Sequence, residues 1–157
     1  MPAKLLQNAH VMKGLDAVAD AFAGTVNSDV FNMGDYHSMV FIIHKGVGTT
    51  GTSTITVEAC DDVVPTTQTA IPFRYKAITS GDTEGALTTA AAAGFATTAG
   101  SSELYLIEVD SQELGDTGYQ YVRLHAVEVA NDPVLGGIIA IGYGGRYCQD
   151  VPATAIV

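Results

Sequence analysis

Four histidines and seventeen carboxylates are the groups in this chain best suited to ligating a metal or moving a proton. His10, His37, His44 and His125 stand far apart, with no HxH or HExxH pair and no cysteines at finger spacing. His125 and Glu128, in YVRLHAVEV, come nearest to a ligand pair. Residues three apart on a strand point to opposite faces, so these two cannot grip one ion from regular β-structure. We expect neither a metal site nor a cofactor site.

The carboxylates cluster twice. Asp61 and Asp62 lie in ACDDVV, while Asp110, Glu113 and Asp116 share DSQELGDTG. The second group offers oxygen ligands to Ca²⁺ but lacks the order of an EF-hand loop, so solvated turn carboxylates are the expected reading. Carboxylate pairs also serve glycoside hydrolysis. Sugar clefts carry several aromatics, however, and a chain with five Phe and no Trp suits that chemistry poorly. There is no GxSxG elbow, no phosphate-binding P-loop and no GxGxxG opening a helix. GYGGRY (142–147) is Gly-rich but sits in or at the end of a strand, where a bulge or close backbone approach outweighs phosphate binding. No catalytic residue is expected, and the chain is not read as an enzyme.

The elements that carry these groups read as β-structure. Strand patterns cover 28–33, 38–46, 53–62, 71–79, 103–110, 119–129 and 136–147, separated by Gly, Pro, Asn and Asp turns. The fold class is therefore all-β: a sandwich or jelly roll of about eight strands. SMVFIIHKG and GGIIAIGYGGRY contain stretches apolar on both faces, as expected of central strands covered on both sides. Residues 119–129 show no clean inside and outside. Tyr119, Tyr121, Arg123, His125, Val127 and Val129 fall on one face, with Gln120, Val122, Leu124, Ala126 and Glu128 opposite. The Ala/Thr/Gly-rich stretch 81–102 is expected to be one long surface loop, in preference to a helix over 86–93. Residues 1–27 are expected to form an N-terminal arm, extended or partly helical, and 28–157 a single sandwich domain. The apolar tail VPATAIV needs a docking place.

Composition narrows the partners. At 157 residues the chain can bury a sizeable core. Only 15 % of residues are charged and 47 % are hydrophobic, which suits a Thr- and Ala-rich exterior or a surface built to be covered. Seven basic against 17 acidic residues give a net charge of −10, with the basic residues scattered. That balance speaks against nucleic acid and against an anionic membrane surface. No apolar run approaches the roughly 18 residues of a membrane span, and MPAKLLQNAHVMKGL lacks the apolar stretch of a signal peptide. Cys60 and Cys148 read as two small buried thiols in a reducing compartment.

Three patterns carry a family resemblance: SDVFNMGDY leading into a buried strand, GTSTITVEACDD followed by IPFRY, and IEVDSQEL followed by YVRL. Together they span roughly residues 28–147 and resemble jelly-roll head decoration (cement) proteins of tailed bacteriophages. The resemblance implies a structural virion protein on the capsid exterior, made in the host cytoplasm. It would bind the major capsid protein lattice and associate with itself as a homotrimer. It carries over no catalytic residues. Tyr and Arg are frequent interface anchors, so Tyr119, Tyr121, Arg123 and His125, with Leu5 and Leu6 of the arm, are the expected subunit or capsid contacts. A phage tail or tail-adaptor protein and a ligand- or carbohydrate-binding sandwich are the alternatives.

Overall fold

The structure, a computed structural model, describes residues 5–145. One helical turn, α1 (Leu5–Asn8), opens into β1 (Ala9–Val18), β2 (Thr25–Asn27), β3 (Phe31–Asn32) and β4 (Tyr36–Lys45). β5 (Thr52–Cys60), β6 (Gln68–Ile71), β7 (Phe73–Ile78), β8 (Thr88–Ala90) and β9 (Phe95–Ala96) follow. β10 (Glu103–Asp110), the short helix α2 (Ser111–Gly115), β11 (Tyr121–Ala130) and β12 (Gly136–Gly145) complete the described chain. The first sheet runs β1-β12-β4-β10-β7-β8 and the second β2-β11-β5-β6, with β3 on β11 and β9 on β5. All pairings are antiparallel. The fold is an all-β, jelly-roll-like sandwich, as the strand pattern requires.

The core lies between the sheets and is filled by alternate residues. Met39, Phe41 and Ile43 of β4 and Tyr105, Ile107 and Val109 of β10 point inward from one side; Ile55 and Val57 of β5 and Val122 and Leu124 of β11 meet them. Each such side chain contributes about 1.5–3 kcal/mol by leaving water. Aromatics lock the layers: Phe31 meets Phe41 edge-on at 5.6 Å, and Phe95 stacks on Tyr75 at 4.1 Å. β11 does have an inside and an outside: Val122, Leu124 and Ala126 are buried, while Tyr121, Arg123 and His125 face outward and are half-covered. The mixed pattern arose because long polar side chains lie down across neighbouring strands and shield one another.

Two segments differ from the sequence expectation. Residues 9–18 are extended, but as β1 they are hydrogen bonded along β12 and place Met12 in the core. The segment is thus an edge strand of the sandwich, and deleting residues 1–14 strips that edge. Its signal was hidden because Gly14 and two register shifts interrupt the alternation. In 81–102, β8 and β9 attach the loop to β7 and β5. Gly94, at φ +78°, presses on the Ile55 carbonyl where a β-carbon would collide. The tail VPATAIV and the end of GYGGRY lie outside the described residues.

One polar network crosses the apolar interior. Lys45 continues the inward row of β4, and its ammonium donates to Glu103 Oε2 (2.9 Å), Thr98 O (2.6 Å) and Gly51 O (3.3 Å). Glu103 in turn accepts from Tyr105 Oη at 3.0 Å and Thr98 Oγ1 at 2.6 Å. With side chains 2 % and 3 % exposed, the pair survives because every ammonium proton and both carboxylate oxygens have partners. It ties the 46–51 and 97–103 loops to one end of the sandwich. Replacing Glu103 by Ala leaves a buried ammonium unpaired; urea unfolding is expected to show a loss of roughly 3–5 kcal/mol. A loss under about 1 kcal/mol, the size of an exposed pair, would show that the network is not holding the loops.

Candidate functional interface

The outer face of the first sheet carries a group of apolar side chains that nothing in the described chain buries. Register places side chains from neighbouring strands in rows. Ile139, Ile42 and Leu106 form one row, flanked by Lys13 and Lys76 at its two ends. Val11, Ile141 and Val40 continue into Glu108 and Arg74 in the next. Leu104 and Ile78 extend the apolar ground on one side and Tyr143 on the other. Val11, Ile139 and Tyr143 are 50 %, 45 % and 53 % exposed. Strands about 4.8 Å apart, with a two-residue repeat of about 6.8 Å, give this patch an area on the order of 400 Å².

Its rim is charged, but the charges are paired. Lys13 meets Asp16 at 2.7 Å, and Lys76 meets Glu84 at 2.8 Å. Arg74 lies 3.3 Å from Glu108 and 3.6 Å from Asp110. The hydrogen bond that the Lys13 ammonium donates to Asp16, helped by the Asp16 charge, holds that ammonium above its ordinary pKa. An apolar centre within a paired polar rim is the anatomy of a protein-protein contact.

Tyr121, Arg123 and His125 share a face, but on the opposite side of the molecule, outside the second sheet. Arg123 is committed to Glu58 on β5, with Nε and Nη2 each 2.8 Å from the same carboxylate oxygen and both side chains largely covered (13 % and 12 % exposed). His125 Nδ1 lies 2.7 Å from Asn27 Oδ1. Tyr119 precedes β11 and packs against the core. Leu5 and Leu6, 61 % and 81 % exposed, belong to α1 beside β1 and β12 and therefore stand at the margin of the first sheet, away from the tyrosines. The six expected contact residues thus divide between two sides of the sandwich.

The carboxylate clusters are committed to local structure. Asp110 caps α2, Glu113 Oε2 accepts from the Asp110 amide at 2.9 Å, and Ser38 Oγ donates to Asp110. Burial raises the Glu113 carboxyl above the usual range. Among the described residues, no three His, Cys, Asp or Glu side chains gather closely enough to hold a metal ion. The Cys60 thiol is buried and is pushed up to about 11, chiefly by burial, with the Arg123 charge opposing. A cavity of about 10 Å³ beside Lys45, lined by Phe22, Ile43 and Ile55 among others, has room for about one water.

Sequence reasoning missed the first-sheet face, although its signal was present. Runs apolar on both sides, at 38–46 and 136–143, were assigned to strands covered twice. Here one side is covered by the second sheet and the other stands open.

No family model matches the chain, and no curated protein matches it. Among solved structures it is similar to the SPBc2 prophage-derived protein YomS, with a TM-score of 0.46 and 16 % identity over 86 % of this chain and 92 % of that one. It also aligns with the structure of infectious bursal disease virus Gx strain, at TM-score 0.26 and 11 % identity over 88 % of this chain and 42 % of that one. For the VP2 subviral particle of infectious bursal disease virus the values are 0.25, 9 %, 88 % and 41 %.

Asp61 gives the loops a pH signature. Hydrogen bonds from Thr66 and Thr67 hold its carboxyl well below the ordinary 3.8. A carboxyl lowered in the folded state stabilises fully above its unfolded pKa and loses that contribution as pH falls through the folded one. Asp61→Asn is therefore expected to lower the melting temperature at pH 7, with the gap to the parent closing below about pH 4. A gap unchanged at pH 3 would show that the loop draws nothing from the ionised carboxylate.

Proposed function

We propose that this chain is a structural protein of a phage virion, a head decoration protein that grips the major capsid protein lattice through the outer face of its first sheet. The observation that carries the reading is that face: an open apolar patch across the middle of a stiff sheet, ringed by paired charges. The resemblance of SDVFNMGDY, GTSTITVEACDD and YVRL to cement proteins supplies the partner. In this reading the work is done by shape and burial, without bond-making.

The energetics suit a repeated contact. Burying about 400 Å² of apolar surface is worth at most roughly 10 kcal/mol at about 25 cal/mol/Å². Association alone costs about 4–15 kcal/mol, so a single copy binds weakly. A homotrimer on a symmetric shell multiplies that contact into firm attachment. The opposite face, with Tyr121, Arg123 and His125, is then free for contact between copies. There the Arg123–Glu58 pair presents a neutral, preorganised surface.

Co-sedimentation with DNA-filled, tail-less heads tests this. Ile139→Asp and Ile42→Asp place a charge on the outer face without touching the interior, and each is expected to weaken head binding roughly 10- to 100-fold. Circular dichroism and melting temperature should stay near the parent's. Unchanged binding by both variants, or a parent found on isolated tails and absent from heads, would overturn the reading.

A further inference from the structure

A second open feature lies at the edge of the other sheet. β6 ends the second sheet: among the described residues it pairs with β5 alone, and Gln68, Thr69 and Ala70 are exposed. Bare strand edges are normally blunted by charge, proline or bulges. β1, at the edge of the first sheet, carries Lys13, Asp16 and two register shifts. The register of β6 on β5 is unbroken, and no charged residue lies between Val63 and Phe73. Pro65 and Pro72 stand outside the strand.

The register also fixes which way the backbone groups of β6 point. Neighbouring antiparallel pairs alternate between those that exchange hydrogen bonds and those that do not. Asp61 N donates to Thr67 O at 3.2 Å, so that pair is of the first kind. Thr69, opposite Ala59, and Ile71, opposite Val57, therefore turn their N–H and C=O toward β5. Gln68 and Ala70 turn theirs to the open edge. Two other bonds obey the same alternation. Ser53 O, on β5, accepts from Thr97 N, away from β11, while Leu124 of β11, opposite Val57, spends its N–H and C=O on Ser28.

A second copy of this strand fits those open groups. With the two strands antiparallel about a two-fold axis at Thr69, Gln68 of each copy faces Ala70 of the other, and each pair exchanges both of its bonds. Sliding the register by two residues either way fails. It brings Pro72, which has no N–H, opposite Gln68, or brings Thr66, whose N–H is already given to Asp61, opposite Ala70. At the axis the two Thr69 side chains meet as a favourable uncharged pair. We propose that β6 pairs with β6 of a second copy in this register and joins the two second sheets into one. The axis then stands perpendicular to the sheet, so both copies turn the outer face of the first sheet to the same side. For what the pair grips, the inference rests on the decoration reading: two patches meet the lattice at once, and a copy in one trimer is linked to a copy in the next.

The test oxidises Thr69→Cys and, as a control on the opposite edge, Thr25→Cys, each in a Cys148→Ser background; Cys60 is buried. Opposed residues of a non-hydrogen-bonded pair lie about 4.5 Å apart at Cα, within disulfide range. Thr69→Cys is expected to cross-link two copies about 10-fold faster than Thr25→Cys, because pairing raises the effective concentration of its thiol. In sedimentation the mass of the parent should rise as its concentration is taken to about 0.5 mM. Thr69→Lys sets two ammonium groups against each other at the axis; it should keep its dilute mass and, when dilute, melt near the parent. Equal cross-linking at the two positions, or the same mass for the parent and Thr69→Lys throughout, would overturn the proposal. An unpaired parent whose head binding is lost on Thr69→Lys would give the edge to a strand of the lattice and overturn it as well. Pairing in the free protein with no head binding by any variant would leave the pairing standing and sink the decoration reading instead.

Discussion

A two-layer sandwich has one interior, so it can bury only one face of each sheet. β4 and β12 nevertheless carry apolar side chains on both. Their inward rows, Met39, Phe41 and Ile43 with Ile138 and Ala140, are fully used against the second sheet. Their outward rows, Val40 and Ile42 with Ile139 and Ile141, meet nothing comparable in the described chain. Sheets with both faces apolar are stable where a third layer covers them. That mismatch between a three-layer sequence and a two-layer fold is the source of the functional reading.

What makes the face usable is the stiffness beneath it. A flat apolar patch on a mobile sheet would lose on ordering much of what burial gains. Here the aromatic contacts of the core and the Lys45–Glu103 network fix both the strands and the loops at one end. The charge distribution serves the same end. All five described Lys and Arg residues are paired with carboxylates, namely Lys13, Lys45, Arg74, Lys76 and Arg123. Among the described residues the surplus of negative charge therefore resides in acids without a basic partner, such as Asp62 and Asp82 in turns, while the charges at the rim of the apolar patch are paired.

Much of this was legible in the residues. Alternation marked β5 and β7, and turn residues set them and β10 apart, because period-two burial leaves a direct trace. The Ala/Thr/Gly stretch was recognisable as a connection, though not as one that donates β8 and β9, since a pairing two or three residues long depends on a neighbour the sequence does not name. β1 was hidden by its bulges. Lys45 was unreadable as a core residue, because a buried ammonium is tolerated only where Glu103, Thr98 and Gly51 converge from distant positions. The tyrosine-bearing face drew notice for its residue types. The first-sheet face escaped it because apolar residues alone do not say whether a sheet, a tail or another protein will cover them.

Oxidative footprinting of the free protein and of the assembled head measures that cover directly, residue by residue. The account predicts that Leu106, Ile139 and Tyr143 lose most of their reactivity when the protein is on the head, while Val64 and Val47, exposed on loops, keep theirs. Full reactivity of Leu106, Ile139 and Tyr143 on the assembled particle would contradict it.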